Sequence, residues 1–348
     1  MKIILDAMGG DFAPQATVQG ALDANRLYGA EVILVGRTAD IMKAMEASGV
    51  KEVPAGIEVR EASEVVEICD DPATAFKKKK DSSLTVGMNL LKEGAGDAFV
   101  SAGSTGALLA GATLLVKRIR GIRRAAMGPV IPVAGGRAVL CDCGANAVCT
   151  PEYLLQFAYL GSYYAKRVLG LEQPRVGLLN IGAEDEKGDD LRKETVALLK
   201  QAHADGRINF IGNIEAKEAM LGGADVIVAD GFSGNIMLKT LEGTAKFLLK
   251  ELKGVFYSNL KTKLAAAVIK SDIEGLKKLL DPSEVGGTPF LGISKPVIKA
   301  HGSSDARAIC NAILRAGEYA ESGFIADVER DIELMKVDRA AEKVELPS

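Results

Sequence analysis

The stretch "SAGSTGALLAG" occupies Ser101 to Gly111, and "DAF" leads into it from Asp97. A short apolar run ends in small residues, glycines follow, and an Ala/Leu-rich helix begins. Chains build anion cradles this way: glycines expose backbone N–H groups, and a helix N-terminus aims them. The lysine of a nucleotide phosphate loop is missing, since Ala107 and Leu108 follow Gly106. The dinucleotide pattern G-x-G-x-x-G is missing too, because Gly103 and Gly106 stand three apart. What the cradle holds must therefore be read from its surroundings.

Outward from this corner, β-branched runs alternate with helical patterns. "KIILDAM", "EVILVG", "IEVREA", "AFVSAG", "VLCDCG", "RVGLLNIG", "INFIGNI" and "DVIVADG" read as strands. Residues 14–28 and 39–48 read as the first two helices, and residues 305–321 as the last. Nearly continuous apolar strands separated by helices predict an α/β fold with a mainly parallel, buried sheet. Such sheets bind ligands beyond the C-terminal ends of their strands. Those ends carry "DAMGGD" (Asp6–Asp11), "SAGSTG" (Ser101–Gly106), "DCGAN" (Asp142–Asn146), "NIGAEDEKG" (Asn180–Gly188) and "DGFSGN" (Asp230–Asn235). Each loop alone is adequately explained by turns and helix caps. Five of them at one edge predict a site.

The totals set the bounds. With 348 residues, 48% hydrophobic and 26% charged, the chain can bury a large core. A formal net charge of −3 gives no global pull towards nucleic acid. The opening "MKIILDAMGGD" is too short an apolar run for a signal peptide, and no run long enough to span a membrane occurs. A cytoplasmic protein is expected, and contact with a membrane surface stays open. Residues 1–348 are read as one α/β catalytic domain, with a loose tail after Val337. Among the cysteines, "CDCGANAVC" fits no zinc template, and only His203 and His301 could add nitrogen ligands. Cys141 and Cys143, alternating with Asp142, read as small apolar fillers on one strand face. His203, at a helix end, reads as a solvated charge.

Residues 239–280 differ from the rest. Leu248, Leu252, Phe256, Leu260, Leu264 and Val268 recur every fourth position, beside nine lysines and four acids. This predicts a helical excursion from the sheet body, a hairpin broken near Gly254 or Ser271. Its apolar stripe suits either a dimer helix bundle or a helix lying on anionic lipid.

The chemistry is constrained by what is missing. There is no G-x-S-x-G elbow and no H-E-x-x-H. His301, in "IKAHGSSDAR", sits at another strand end before a helix start. It is either a capping histidine or a functional one. The expected cleft offers many N–H donors, amides, carboxylates, Lys187 and a histidine, with no strong nucleophile. That favours substrates that bring their own nucleophile, the protein supplying position and electrostatics. Inorganic phosphate attacking a thioester fits: phosphate is already anionic, and a thiolate with a pKa of about 8–9 leaves readily.

"DAMGGDFAP", "KKKDSS", "SAGSTGALL", "DCGAN", "LLNIGAEDEKG", "VIVADGFSGN" and "HGSS", in this order, resemble the bacterial acyl-carrier-protein:phosphate acyltransferase family. The resemblance covers nearly the whole chain, and departs at Ser104, where the family has asparagine. It implies transfer of a long-chain acyl group from acyl carrier protein to phosphate, for phospholipid synthesis. It also implies a Rossmann-like three-layer α/β/α sandwich like those of isocitrate dehydrogenase and phosphotransacetylase, a homodimer, and peripheral contact with the membrane. The cradle would then hold free phosphate or an acyl phosphate, with no cofactor and no metal. His301, Asn180, Lys187 and Asp230 are the expected catalytic groups. Gly10, Asp11, Ser101, Gly103, Ser104, Thr105, Gly106, Asn146, Asn235 and Ser303 are the expected phosphate or substrate ligands. Lys77 to Lys80 are either a docking patch for the carrier or a solvated face, and Lys187 either meets phosphate or pairs with Glu184, Asp185 or Glu186. The rival readings are a short-chain acyl-CoA:phosphate transferase, a metal- and NAD-dependent dehydrogenase of the same fold, and a non-catalytic scaffold.

Overall fold

The computed structural model describes residues 1–280 and 286–337. The tail expected to be loose after Val337 lies outside the described residues. In chain order the strands are β1 (Lys2–Asp6), β2 (Glu31–Gly36), β3 (Ile57–Glu61), β4 (Ala98–Ser101), β5 (Ala126–Met127), β6 (Val130–Val133), β7 (Gly136–Cys141), β8 (Arg175–Leu179), β9 (Asn209–Ile214), β10 (Val226–Val228), β11 (Thr288–Leu291) and β12 (Val297–Lys299). The helices are α1 (Gln15–Tyr28), α2 (Thr38–Ala47), α3 (Ala75–Lys78), α4 (Ser83–Glu93), α5 (Thr105–Gly111), α6 (Pro151–Val168), α7 (Asp190–Ala204), α8 (Ala216–Met220), α9 (Gly231–Phe256), α10 (Leu260–Val268), α11 (Lys270–Leu280), α12 (Ala306–Glu321) and α13 (Phe324–Arg330).

The α/β class holds, but the one expected sheet is two. A seven-stranded sheet runs β3-β2-β1-β4-β12-β11-β5, and a five-stranded sheet runs β6-β7-β10-β8-β9. Five neighbours in the first, from β3 to β12, are parallel, as are β7, β10, β8 and β9 in the second. The antiparallel pairs are β12 with β11, β11 with β5, and β6 with β7. The division passes through β5 and β6, which the sequence pattern hides. The one is two residues long and the other carries Pro132, a residue tolerated at a sheet edge.

Burial on both faces explains why the strands read as unbroken apolar runs. Ile3 and Leu5 of β1 face one core cluster, and Ile4 faces another. Val139 and Cys141 of β7 join the same cluster as Ile3, which therefore runs beneath both sheets, while Ala138 and Leu140 face a third. Cys141 and Cys143 fall in different clusters, so the expectation that they share a face fails: the strand ends at Cys141 and the chain turns before Cys143. Helices cover both sides of the first sheet, α1 and α12 on one and α4 on the other, which gives a three-layer, Rossmann-like arrangement.

In the first sheet the strand order reverses between β1 and β4, so the loops after them open a crevice at a topological switch point. The chain then enters α9, which is continuous through Gly254 to Phe256. The excursion breaks first at Asn259, whose side chain and Thr262 form a reciprocal capping box, and again at Ile269. The break expected near Ser271 is found at Ile269, whereas the one expected near Gly254 falls instead at Asn259, a residue that can cap a new helix. None of α10 is buried in the single chain.

Candidate active site

At the first-sheet crevice the carboxylate of Asp6 is buried and accepts from Ser101 Oγ at 2.7 Å and from Met8 N at 3.1 Å. Ser101 Oγ in turn accepts from Gly103 N at 3.0 Å. Burial pushes the Asp6 carboxyl up, and hydrogen bonds from Ser83 and Ser101 oppose it. Ser101, expected to touch substrate, is thus committed to shaping the Gly103 turn. Gly9 is required here, because a Cβ on it would stand 2.6 Å from Asp6 Oδ2 and 2.7 Å from Gly103 N. Gly10 adopts φ 111°, and Asp11 N donates to Gly302 O at 2.8 Å, tying the β1 and β12 ends together. Ser104 caps α5 by accepting from Ala107 N at 3.5 Å, which leaves Thr105 exposed at the mouth. Gly106 packs against Pro72, with space for a Cβ only 3.0 Å from that ring.

The second sheet has its own buried carboxylate. Asp142 accepts from the backbone N–H groups of Met127 at 2.8 Å, Cys143 at 2.6 Å and Asn146 at 2.7 Å. Burial raises its pKa, and these donors oppose the rise. Asn146 spends its amide on Ala125 O at 2.8 Å and on Asp142 Oδ2 at 3.0 Å. Its carbonyl accepts from Gly231 N at 2.8 Å. Asn146 therefore seats α9 through its backbone carbonyl, and its side-chain NH2 is spent on the scaffold. Asp230 caps α9, accepting from Ser233 N at 2.9 Å and Ser233 Oγ at 2.9 Å, and pairs with Arg192 Nη2. Burial alone would raise Asp230, but Ser233 and Arg192 outweigh it and hold the carboxyl below its ordinary value.

Between the sheets lies a cavity of about 700 Å³. Thr105, Asn235, His301 and Ser303 line it, drawn from α5, α9 and the loop after β12. The side chain of Asn235 makes no hydrogen bond among the described residues and is exposed to the cavity. The Nδ1 of His301 lies 2.8 Å from Ser303 Oγ and accepts from Ser303 N at 3.2 Å. Burial, reinforced by Lys239, lowers the imidazole below its ordinary value. A neutral ring with Nδ1 accepting carries its proton on Nε2, leaving that N–H as a donor. Cys143 also lines the cavity, but burial pushes its thiol up to about 12. A thiol so held is a poor nucleophile near neutrality.

Asn180 and Lys187 do not join this cavity. Asn180 faces a second, more apolar one of about 820 Å³ on the other flank of α9, with Arg192 and Ser233. Its amide donates to Lys187 O at 3.0 Å and its Oδ1 accepts from Ile181 N at 2.8 Å, so it closes its own loop. Lys187 is exposed and forms no ion pair among the described residues; Asp185 pairs instead with Lys200. His203 is exposed at the end of α7, with Nδ1 3.2 Å from Ile208 O.

Two residues at these sites escaped the sequence reading. Lys299, at the end of β12, lines the 700 Å³ cavity although it is 8% exposed. A lysine inside the apolar run "PVIKA" is the signal that marks it. Arg192, two residues into α7, reads as an ordinary helix charge until α9 is folded against it.

A family model described as "Fatty acid synthesis protein" matches residues 1–327. A phosphate acyltransferase of Acetivibrio thermocellus is 43% identical over 339 residues, spanning 97% of this chain and 98% of that protein. One from Thermoanaerobacterium thermosaccharolyticum is 44% identical over 343 residues, spanning 99% and 100%. One from Oceanobacillus iheyensis is 46% identical over 322 residues, spanning 92% and 94%. Among solved structures, a phosphotransacetylase from Streptococcus pyogenes superposes with a TM-score of 0.61 at 18% identity, spanning 92% of this chain and 94% of that one. The EutD phosphotransacetylase from Staphylococcus aureus does so with a TM-score of 0.59 at 16% identity, spanning the same shares. At these identities the structural likeness concerns the fold.

Proposed function

This chain belongs to the fatty acid synthesis protein family of phosphate acyltransferases, and from that premise we propose that it moves a long-chain acyl group from acyl carrier protein to inorganic phosphate. The observation that carries the reading is the composition of the cavity between the sheets. It gathers the donors Thr105, Asn235, His301 and Ser303, while its one thiol, Cys143, is held protonated. Such a site suits a reaction whose nucleophile arrives as substrate. A phosphate oxygen attacks the thioester carbonyl, the carbonyl electrons collect on oxygen, and the C–S bond then breaks. The products are acyl phosphate and the carrier's thiolate. A neutral His301 with its proton on Nε2 suits hydrogen bonding to the oxyanion or to a phosphoryl oxygen. Gly10, Asp11, Gly103, Ser104 and Gly106 belong to the first-sheet loops beside Thr105, Ser101 braces the Gly103 turn, and Asn146 and Asp230 seat the start of α9. Asn180 and Lys187 lie across α9, so a direct role for them requires substrate to reach both flanks of that helix.

The partners follow from the surface. Lys79 is spent on Asp70 at 2.6 Å and on Val65 O at 2.8 Å, while Lys77, Lys78 and Lys80 face solvent. That patch adjoins the cradle through Pro72 and suits the acidic helices of an acyl carrier protein. Among the described residues no helix is long and apolar enough to cross a membrane. Residues 239–280 supply a helical arm, most of whose described side chains are exposed, apolar or basic, to a catalytic unit formed by the rest of the chain. Its base suits a homodimer contact and its tip the anionic inner face of a membrane.

The deciding assay is phosphate-dependent release of carrier thiol from a long-chain acyl-carrier substrate, with no metal or nucleotide added. Acyl phosphate should form, and acetyl-CoA should be a poor donor. Turnover with acetyl-CoA alone would assign a short-chain transferase instead.

A further inference from the structure

Lys299 is more than nine-tenths buried, and its Nζ donates to Ala102 O at 3.0 Å and to Ala300 O. An ammonium has three protons to give. The third finds no acceptor among the described residues, and Lys299 forms no ion pair among them. Asp6 and Asp11 favour its charge without touching it. A buried cation without a counter-ion is costly, and the cost falls when an anion settles beside it. The space beside Lys299 is the cavity that Thr105, His301 and Ser303 line.

We propose that Lys299 is the cationic ligand of the phosphate acceptor, giving its remaining N–H to a phosphoryl oxygen in this cavity. The identity of the anion rests on the phosphate acyltransferase reading; the need for an anion does not. Two carbonyls from the β4 and β12 ends fix the ammonium, so little side-chain freedom is lost on binding. Burial lowers its pKa to about 8, against the pull of Asp6 and Asp11, so it is mostly charged at pH 7. The other charged or titratable groups facing it are His301 and Asp305 beside it, Lys239, Glu242 and Lys246 on α9, and Cys143, whose thiol burial holds at about 12, above the range tested.

The test titrates the full-length protein with inorganic phosphate by calorimetry, with no acyl donor present. Lys299→Met keeps the length of the side chain and removes its charge. Its phosphate affinity should fall about ten- to a hundredfold at pH 7, the scale of one hydrogen bond to a charged group. A folded Met variant that binds phosphate like the wild type overturns the proposal. If that variant does not fold, the wild type decides. Its phosphate affinity should fall severalfold between pH 7.5 and 9.5, where Lys299 loses its proton, and a constant affinity there overturns the proposal. Lys299-dependent phosphate binding without acyl transfer would sink the functional reading and leave this inference standing. Acyl transfer that Lys299→Met leaves untouched would do the reverse.

Discussion

The backbone N–H of Ser303 donates to Nδ1 of His301 at 3.2 Å, and this bond places the ring proton on Nε2. His301→Ala should fold normally and lose about 10²–10⁴ in turnover, as loss of a positioned proton donor typically does. His301→Gln, which keeps an N–H near that position, should recover part of it. The ring must be neutral for this role, and its pKa lies below the ordinary 6.5. Activity should therefore hold as pH falls to 6.5 and decline only below it. Near-normal turnover of the alanine variant would remove His301 from the chemistry.

The Gly103 turn depends on a residue almost a hundred positions away in sequence. A methyl group on Gly9 would press within 3 Å of Asp6 Oδ2 and Gly103 N. Gly9→Ala must therefore part the β1 and β4 loops. The expected result is a several-fold rise in the KM for phosphate and destabilisation of about 1–3 kcal/mol. Chemical denaturation and steady-state kinetics on one preparation check both. An unchanged phosphate KM at lowered stability would make this contact a packing detail only.

How much of this was legible in the sequence depended on range. Strands buried on both faces declared themselves, because β1, β2 and β4 are apolar almost without a break. The strand-end loops stood out by glycine and Asx content, and three of the expected ligands, Thr105, Asn235 and Ser303, do line one cavity together with the expected catalytic His301. What the sequence could not show was which loops meet. The division into two sheets rests on β5 and β6, too short or too proline-broken to signal. Asn146 and Ser101 have the right chemistry for ligands, yet tertiary contacts spend their hydrogen bonds on the scaffold. Asn180 sits at a strand end as expected, but α9 separates it from His301. Lys299 was hidden for the opposite reason: a lysine in a strand looks like an edge charge until the sheet around it is known.

Asp230 and Arg192 couple the start of α9 to α7, and the pair is largely removed from water. Asp230→Ala leaves Arg192 with Asp189 as its one carboxylate partner, beside Ser233 Oγ, and uncaps α9. Breaking a buried pair on one side costs about 3 kcal/mol or more. The carboxyl sits below its ordinary value of 3.8 when folded. Its contribution is therefore complete above about pH 4 and is lost as pH falls through the folded value. A denaturant midpoint measured from pH 7 down to pH 3 should fall for the wild type and fall less steeply for Asp230→Asn. Parallel pH profiles would mean that the pair is not formed in solution.

Leu260 and Leu264 are 74% and 64% exposed in the single chain, one turn apart on α10. Tyr257 and Val268 extend the same exposed apolar surface, and Lys261 and Lys263 stand beside it. Because neither leucine contributes to the core, Leu260→Glu with Leu264→Glu should leave the fold intact and spare turnover on soluble substrate. On a membrane the effect is different. Each lysine near an anionic surface contributes about 1 kcal/mol at most, so charge alone gives weak, reversible binding. Inserting a leucine is worth about 1.5–3 kcal/mol, and losing two should cut vesicle binding by about a hundredfold or more. Sedimentation with phosphatidylserine-containing vesicles, beside neutral ones, measures this directly. If the double variant still sediments with anionic vesicles but elutes as a monomer where the wild type is a dimer, the stripe serves the partner subunit and not the lipid. If it loses vesicle binding and keeps the wild-type oligomeric state, the tip of the excursion is the membrane contact.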